Sequence, residues 1–326
     1  MRRAAVLALA ALAACGAPPE PSYTGPTYAI DADRVSVSGI SAGAYMAGQM
    51  HVAHSALIKG AGLIAGGPWD CAGGSLQKAL NVCTKDGEPD LQPLLARMQE
   101  LAASGAIDGL ANIEASPVWV FRSPVDPLVG QALTEATIEQ YRSLGAAVTF
   151  VGDVEAAHGV PTLATGAPCA SFESPYLNAC DYDAAGAMLA TLEGSLAPRG
   201  SAAGDFVEVP VAGAADAGLL PEAWLYVPPD CAAGETCGLH VFFHGCSQSS
   251  ELVGDAVVRG AGFNEWADSN RLLVLYPQVQ ASKLAPMNPL GCFDWWGYTG
   301  DRYATRDGLQ LRAVKTLMET LAGKPL

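Results

Sequence analysis

Residues Val35–Met46, read as VSVSGISAGAYM, constrain this chain more than any other stretch. A short run of β-formers meets Gly39-Ile40-Ser41-Ala42-Gly43 and passes into a helical pattern from Ala44 to Leu57. Strand, G-x-S-x-G turn and helix in that order make a nucleophile elbow: the serine sits on a sharp turn that lifts its hydroxyl off the sheet edge. The glycines on either side leave room for a strained backbone, and the free amides of the following helix face a developing oxyanion. The bland alternative is a small-residue turn that packs a helix tightly on a sheet.

A nucleophilic serine needs a base, and the base needs an acid to orient it. The chain has five histidines. His51 and His54 lie on the helix leaving the elbow and point away from the attack position, His240 falls inside an apolar strand pattern, and His244 opens a His-Gly loop. His158 remains, in a Gly/Pro-containing loop after the strand pattern Ala147–Gly152, where such folds place catalytic groups. For the acid, Asp126 follows the apolar run Val118–Phe121 and stands between Pro124 and Pro127, which stiffen its loop. Asp153 is close to His158 and reads as a cap on its own strand, and no strand precedes Asp108. The order Ser41, Asp126, His158 is that of the α/β-hydrolases.

The rest of the first half alternates apolar strands (57–65, 118–121, 147–152) with helical patterns (91–103, 132–144), which predicts a mostly parallel central sheet flanked by helices. The second half opens with an antiparallel pair, 206–210 and 223–228. Strands at 239–243 and 271–277 follow, with a helix over about 260–269 between them and a last helix over 305–321. An oxyanion hole takes one amide from the residue after the nucleophile, here Ala42, and one from the loop after the third strand. His244-Gly245-Cys246-Ser247 has that character, and Cys246 or Gly245 would supply the donor. It lies after the triad, whereas the ordinary topology puts it before the nucleophile. Joining the last helix to Tyr28–Val37 restores the ordinary order. The expected fold is therefore a circularly permuted α/β-hydrolase whose two ends meet beside the elbow strand.

Met1-Arg2-Arg3 followed by Ala4–Ala14 is a basic stretch plus a short apolar one, too short to span a bilayer. Leu12-Ala13-Ala14-Cys15-Gly16 resembles a lipobox, with cleavage before Cys15 and lipidation of its thiol; the alternative is an ordinary secretory signal with an incidental cysteine. The expected organisation is a lipoprotein signal at 1–14, a Pro-rich flexible tether at 15–27 and one catalytic domain at 28–326. The expected location is outside the cytoplasm, either lipid-anchored in the bacterial envelope or released. Setting Cys15 aside, eight cysteines remain of nine, an even number that suits four disulfides in an exported chain. Cys71/Cys83, Cys169/Cys180 and Cys231/Cys237 bracket short loops, which leaves Cys246 and Cys292 as a long-range pair. No zinc-like spacing occurs, so neither metal nor cofactor is expected. A formal charge of −15, nearer −17 once Arg2 and Arg3 leave with the signal, argues against nucleic acid and suits a neutral, apolar substrate.

Three segments together, SGISAGAYM at Ser38–Met46, FHGCSQ at Phe243–Gln248 and NPLGCFDWWGY at Asn288–Tyr298, resemble the polyhydroxybutyrate depolymerases of the permuted, single-domain kind. With Asp126 and His158 the likeness spans most of residues 35–321. It implies a serine esterase that cleaves poly(3-hydroxybutyrate) and its oligomers to short hydroxyacids; separately, a monomer without cofactor is expected. No Thr-rich linker or further domain follows residue 326, so strong adsorption to crystalline polymer is not expected. A neutral polyester offers only apolar surface to grip, and Trp295, Trp296 and Tyr298 are the candidate contacts. A Cys246–Cys292 bond would bring them beside the oxyanion loop. The rivals are another secreted esterase of the same fold, of feruloyl or acetyl-xylan type, and a non-catalytic lipoprotein that binds apolar ligands.

Overall fold

The computed structural model describes residues 23–326; the expected signal at 1–14, Cys15 and most of the expected tether lie outside the described residues. Eight strands form one sheet. In chain order they are β1 (Ile30–Ile40), β2 (Gly60–Ile64), β3 (Pro117–Phe121) and β4 (Ala147–Val151), then, after a small second sheet of β5 (Val160–Thr162), β6 (Ala167–Pro168) and β7 (Leu177–Ala179), β8 (Asp205–Pro210), β9 (Glu222–Val227), β10 (Cys237–Phe243) and β11 (Leu272–Tyr276). The large sheet runs β4-β3-β2-β1-β10-β11-β9-β8. Every pairing from β4 to β11 is parallel, and β9 joins antiparallel to both β11 and β8. Numbered along the chain from β8 and across the joined ends, β10 is the third strand and β1 the fifth, although in the sheet β11 lies between β9 and β10; this is the permuted order expected. The seam is visible: Tyr28 N donates to Leu321 O at 2.8 Å, so the last helix, Leu309–Ala322, runs directly up to β1.

Residues alternate across the strands, and both faces are covered, as a parallel sheet requires. Val35, Val37, Leu239, Val241, Leu273 and Leu275 share one core with the elbow helix α1 (Ala42–Ala53) and the last helix. Ile40, Phe242, Val274 and Trp119 share the other with Met188 and Leu189 of the Ala184–Glu193 helix. All residues of α1 are buried, so it shows no polar stripe for a periodicity reading to find.

Several boundaries moved. Helix α1 starts at Ala42 and ends at Ala53, because the Leu57 and Ile58 amides turn back to His54 O. The helix expected over 260–269 is two, Ala256–Gly260 and Asn264–Asn270, separated where Gly262 takes φ +91°. Strand β1 reaches back to Ile30 through the polar Asp31, Asp33 and Arg34, with an irregularity in its register between Ile30 and Val35. Four disulfides join Cys71–Cys83, Cys169–Cys180, Cys231–Cys237 and Cys246–Cys292. No helix among the described residues is long and apolar enough to cross a membrane.

Candidate active site

From β1 the chain passes through α1 to β2 on one side, while its other neighbour, β10, leads on to β11. The connections diverge there, and a crevice opens above the strands' carboxyl ends. Ser41 stands at its floor with φ +56° and ψ −121°, a strained conformation for a residue with a side chain. The strain is held by close backbone packing. A β-carbon on Gly39 would lie 2.3 Å from Gly43 O, and one on Gly43 would lie 2.1 Å from Phe243 O. Both glycines are therefore required by contact, and the positive φ belongs to the serine itself.

Asp126 and His158 leave the ends of β3 and β4 and meet. His158 Nδ1 lies 2.8 Å from Asp126 Oδ2, and the two side chains are 8% and 2% exposed. The other carboxylate oxygen accepts the Leu128 amide at 2.7 Å and the Val129 amide at 3.0 Å. Burial pushes the Asp126 carboxyl up, but the bond to His158 and the two amides outweigh it, and the net shift is below the ordinary value. With the Nδ1 proton on Asp126, Nε2 of His158 carries the lone pair a base needs. Ser41 and His158 line the same cleft, of about 740 Å³.

Three of the remaining histidines have structural partners, and His54 is buried at the end of α1 with its Nε2 unpartnered. His240 lies between Ser36 Oγ (2.9 Å) and Ser38 Oγ (2.7 Å), and His51 between Tyr141 Oη and Ser116 Oγ, both at 3.2 Å. His244 accepts the Val279 amide at Nε2, and its Nδ1 proton goes to Gly245 O. Asp153 is exposed, and Asp108 accepts the Ala56 amide and pairs with Arg306.

In the oxyanion loop, the Gly245 amide donates to Gln248 Oε1 (2.7 Å) and the Ser247 amide to Leu290 O (2.6 Å). Of the two donors open at the sequence level, Gly245 is thus engaged. Cys246 lies on the cleft with Ala42, and its disulfide to Cys292 fixes the loop from below. Gln248 also donates through Nε2 to Pro175 O and Tyr176 O, binding this loop to the opposite wall.

Of the three candidate aromatics, Trp295 lines the cleft, stacked on Tyr45 at 5.0 Å between centroids. Trp296 and Tyr298 stand outside the cleft lining. The buried Asp294 carboxylate accepts the amides of Trp296, Gly297, Tyr298 and Thr299, which curls the chain and turns Tyr298 toward Gln310 and Asn288. The wall they were expected to form comes instead from Tyr45, Phe172 and Tyr176. Tyr45 is one helical turn from Ser41, a spacing visible in the sequence; Phe172 and Tyr176 lie inside the Cys169–Cys180 loop, which nothing local tied to the site. Among the described residues no group of three or more His, Cys, Asp or Glu could hold a metal ion.

The chain is 34% identical to the polyhydroxybutyrate depolymerase of Talaromyces funiculosus, over 94% of each. It belongs to the polyhydroxybutyrate depolymerase family. The poly(3-hydroxybutyrate) depolymerase of Delftia acidovorans is 37% identical over 98% of this chain, which spans 66% of that relative's length. Among solved structures, the PHB depolymerase from Penicillium funiculosum superimposes with a TM-score of 0.86 at 31% identity, covering 92% of this chain and 99% of the other. A PHB depolymerase complexed with an R3HB trimer matches with the same TM-score at 30% identity and the same coverage. No protein-family model matches the chain.

Proposed function

We propose that this depolymerase-family chain is a serine esterase acting on poly(3-hydroxybutyrate) and its oligomers, with Ser41 as nucleophile, His158 as base and Asp126 as orienting acid. The observation that carries the reading is the strained Ser41 in the cleft that His158, paired with Asp126 behind it, also lines. Ser41 Oγ attacks the ester carbonyl and passes its proton to His158 Nε2. Asp126 stabilises the imidazolium, and the Ala42 and Cys246 amides hold the oxyanion. The protonated His158 gives its proton to the leaving alkoxide, and water then releases the acyl group by the same route. The apolar walls around Trp295, Tyr45 and Phe172 suit a substrate without internal charges, and the relatives' names point to the same polyester.

The same proposal covers the chain's ends and setting. Residues 1–14 are an export signal, Cys15 carries a lipid, residues 15–27 tether a monomeric catalytic domain, and the protein works outside the cytoplasm. The four disulfides favour that oxidising location.

Ser41→Ala decides the central point. It should abolish hydrolysis of 3-hydroxybutyrate oligomers and of p-nitrophenyl butyrate while leaving circular dichroism and thermal unfolding intact; turnover by the variant would remove Ser41 from the chemistry. Faster wild-type turnover of feruloyl or acetyl-xylan esters than of hydroxybutyrate oligomers would transfer the substrate to the rival esterase class.

A further inference from the structure

The cleft lining contains one cationic side chain, Lys85, and no carboxylate. That is unusual surroundings in a chain with 33 acidic and 18 basic side chains. Lys85 takes part in none of the ion pairs among the described residues. Its backbone is also held in a conformation it would not choose, with φ +53°. Two bonds impose it: the Lys85 amide donates to Leu128 O at 2.6 Å, and Lys85 O accepts the Gly130 amide at 2.8 Å. Leu128 is one of the residues whose amides Asp126 accepts, so the clamp on Lys85 continues the acid loop. Two residues earlier, Cys83 is bonded to Cys71, and its carbonyl accepts Tyr45 Oη at 2.7 Å. The backbone of Lys85 is thus doubly anchored at the rim of an apolar cleft, and its exposed side chain adds the one positive charge among the lining residues.

We infer that Lys85 binds the free carboxylate end of an oligoester, giving the esterase proposed above, on which this inference rests, a subsite for carboxyl-terminated chains. A poly(3-hydroxybutyrate) chain has one charge, the carboxylate at one end, ionised at neutral pH. That end lies on the alkoxy side of every ester in the chain. An ion pair to Lys85 therefore acts before the first bond breaks. When the ester C–O bond breaks, the alkoxy fragment takes a proton from His158 and leaves with the carboxylate. The acyl group left on Ser41 carries none, so its hydrolysis by water does not involve Lys85. Lys85 thus selects short, carboxyl-terminated oligomers over the interior of a long chain.

The test compares kcat/KM for the 3-hydroxybutyrate trimer as free acid and as methyl ester, in the wild type and in Lys85→Met, Lys85→Arg and Lys85→Glu, at low and high salt. Taking the ratio of the two substrates within each protein cancels any loss of folding or chemistry common to both. The wild type should favour the acid about three-fold at low salt, the size expected of a single exposed ion pair, and lose the preference as salt screens it. Lys85→Arg should keep the preference, Lys85→Met should bring the ratio to about one, and Lys85→Glu should invert it. A wild-type ratio of one, or a ratio that Lys85→Met leaves unchanged, overturns the subsite while the esterase reading stands. Wild-type protein that hydrolyses neither trimer overturns both.

Discussion

The hydroxyl oxygen of Ser123 accepts the backbone N–H of Ala156 at 2.9 Å, which ties the loop carrying Asp126 to the loop carrying His158. The same oxygen accepts the Val125 amide at 3.2 Å, and Ser123 is 1% exposed. One buried side chain thus sets the distance between acid and base. It precedes Pro124 in a turn, and in the sequence it looks like an ordinary turn serine.

Ser123→Ala should therefore lower kcat on an oligomer substrate about ten-fold with a smaller change in KM, as expected when a positioning contact is lost. Leaving the buried Ala156 amide without an acceptor should also cost about 1–3 kcal/mol of stability. Ser123→Thr, which keeps the oxygen, should recover most of the rate. Steady-state kinetics with urea unfolding separate the two effects: a variant that is less stable but has unchanged kcat and an unchanged pH–rate profile would show that Ser123 only supports the loops.

Two glycines of α1 should respond oppositely to the same change. A β-carbon at Gly43 would press on Phe243 O at 2.1 Å, whereas one at Gly48 would meet only Tyr141 Oη, at 3.8 Å. Gly43→Ala must push the elbow away from β10 and should cost several kcal/mol, enough to abolish soluble expression or activity. Gly48→Ala adds a methyl group at ordinary van der Waals distance within a helix and should stabilise the fold by roughly 0.5–1 kcal/mol. Thermal unfolding of the pair settles it; equal effects would mean that the elbow's closeness to β10 is not what requires Gly43.

The fold and the core of the site were legible because each rests on short-range pattern plus chain order. The elbow, the strand ends before Asp126 and His158, and the loop at His244–Gln248 all follow apolar runs, and their order exposed the permutation. The cleft wall was not legible. Trp296 and Tyr298 look like surface for a substrate until Asp294 is seen gathering their amides, a contact that no spacing announces. Phe172 comes close to His158, at 6.1 Å between ring centroids, only through the folding of the Cys169–Cys180 loop. Local sequence carries element type and order well, and long-range packing poorly.

Acid should begin to destabilise this protein at pH values above the carboxylate range. Burial lowers His51, His54 and His244 to about 4 and His240 to about 3, from 6.5. Between these values and 6.5 the unfolded chain binds protons that the folded chain excludes, so stability falls as pH falls through that window. Asp70, Glu193 and Asp294 have raised values and oppose this as they protonate, so the net uptake on unfolding should be below four protons. Asp126, whose value is lowered, contributes stability that is lost only as pH drops below 3.8. Urea midpoints at about pH 7.5 and about pH 5 should differ clearly, with the lower midpoint at acid pH; a flat or rising midpoint would contradict the burial of these histidines in neutral form.

Adjacent tryptophans give the sharpest test of the cleft wall. Trp295 is 8% exposed, lines the cleft and stacks on Tyr45, while Trp296 packs edge-on behind it at 5.6 Å and against Tyr298 at 4.8 Å. Trp295→Phe keeps an aromatic ring on Tyr45 but withdraws surface from the cleft. It should raise KM for a hydroxybutyrate oligomer about five- to ten-fold, the loss of roughly 1–1.4 kcal/mol of apolar contact. Trp296→Phe removes comparable surface from the loop and none from the cleft, so KM should stay within about two-fold of wild type while stability falls. If the Trp296 variant shows the larger rise in KM, then the substrate lies across the Trp296–Tyr298 surface and the cleft beside Trp295 is not its main contact.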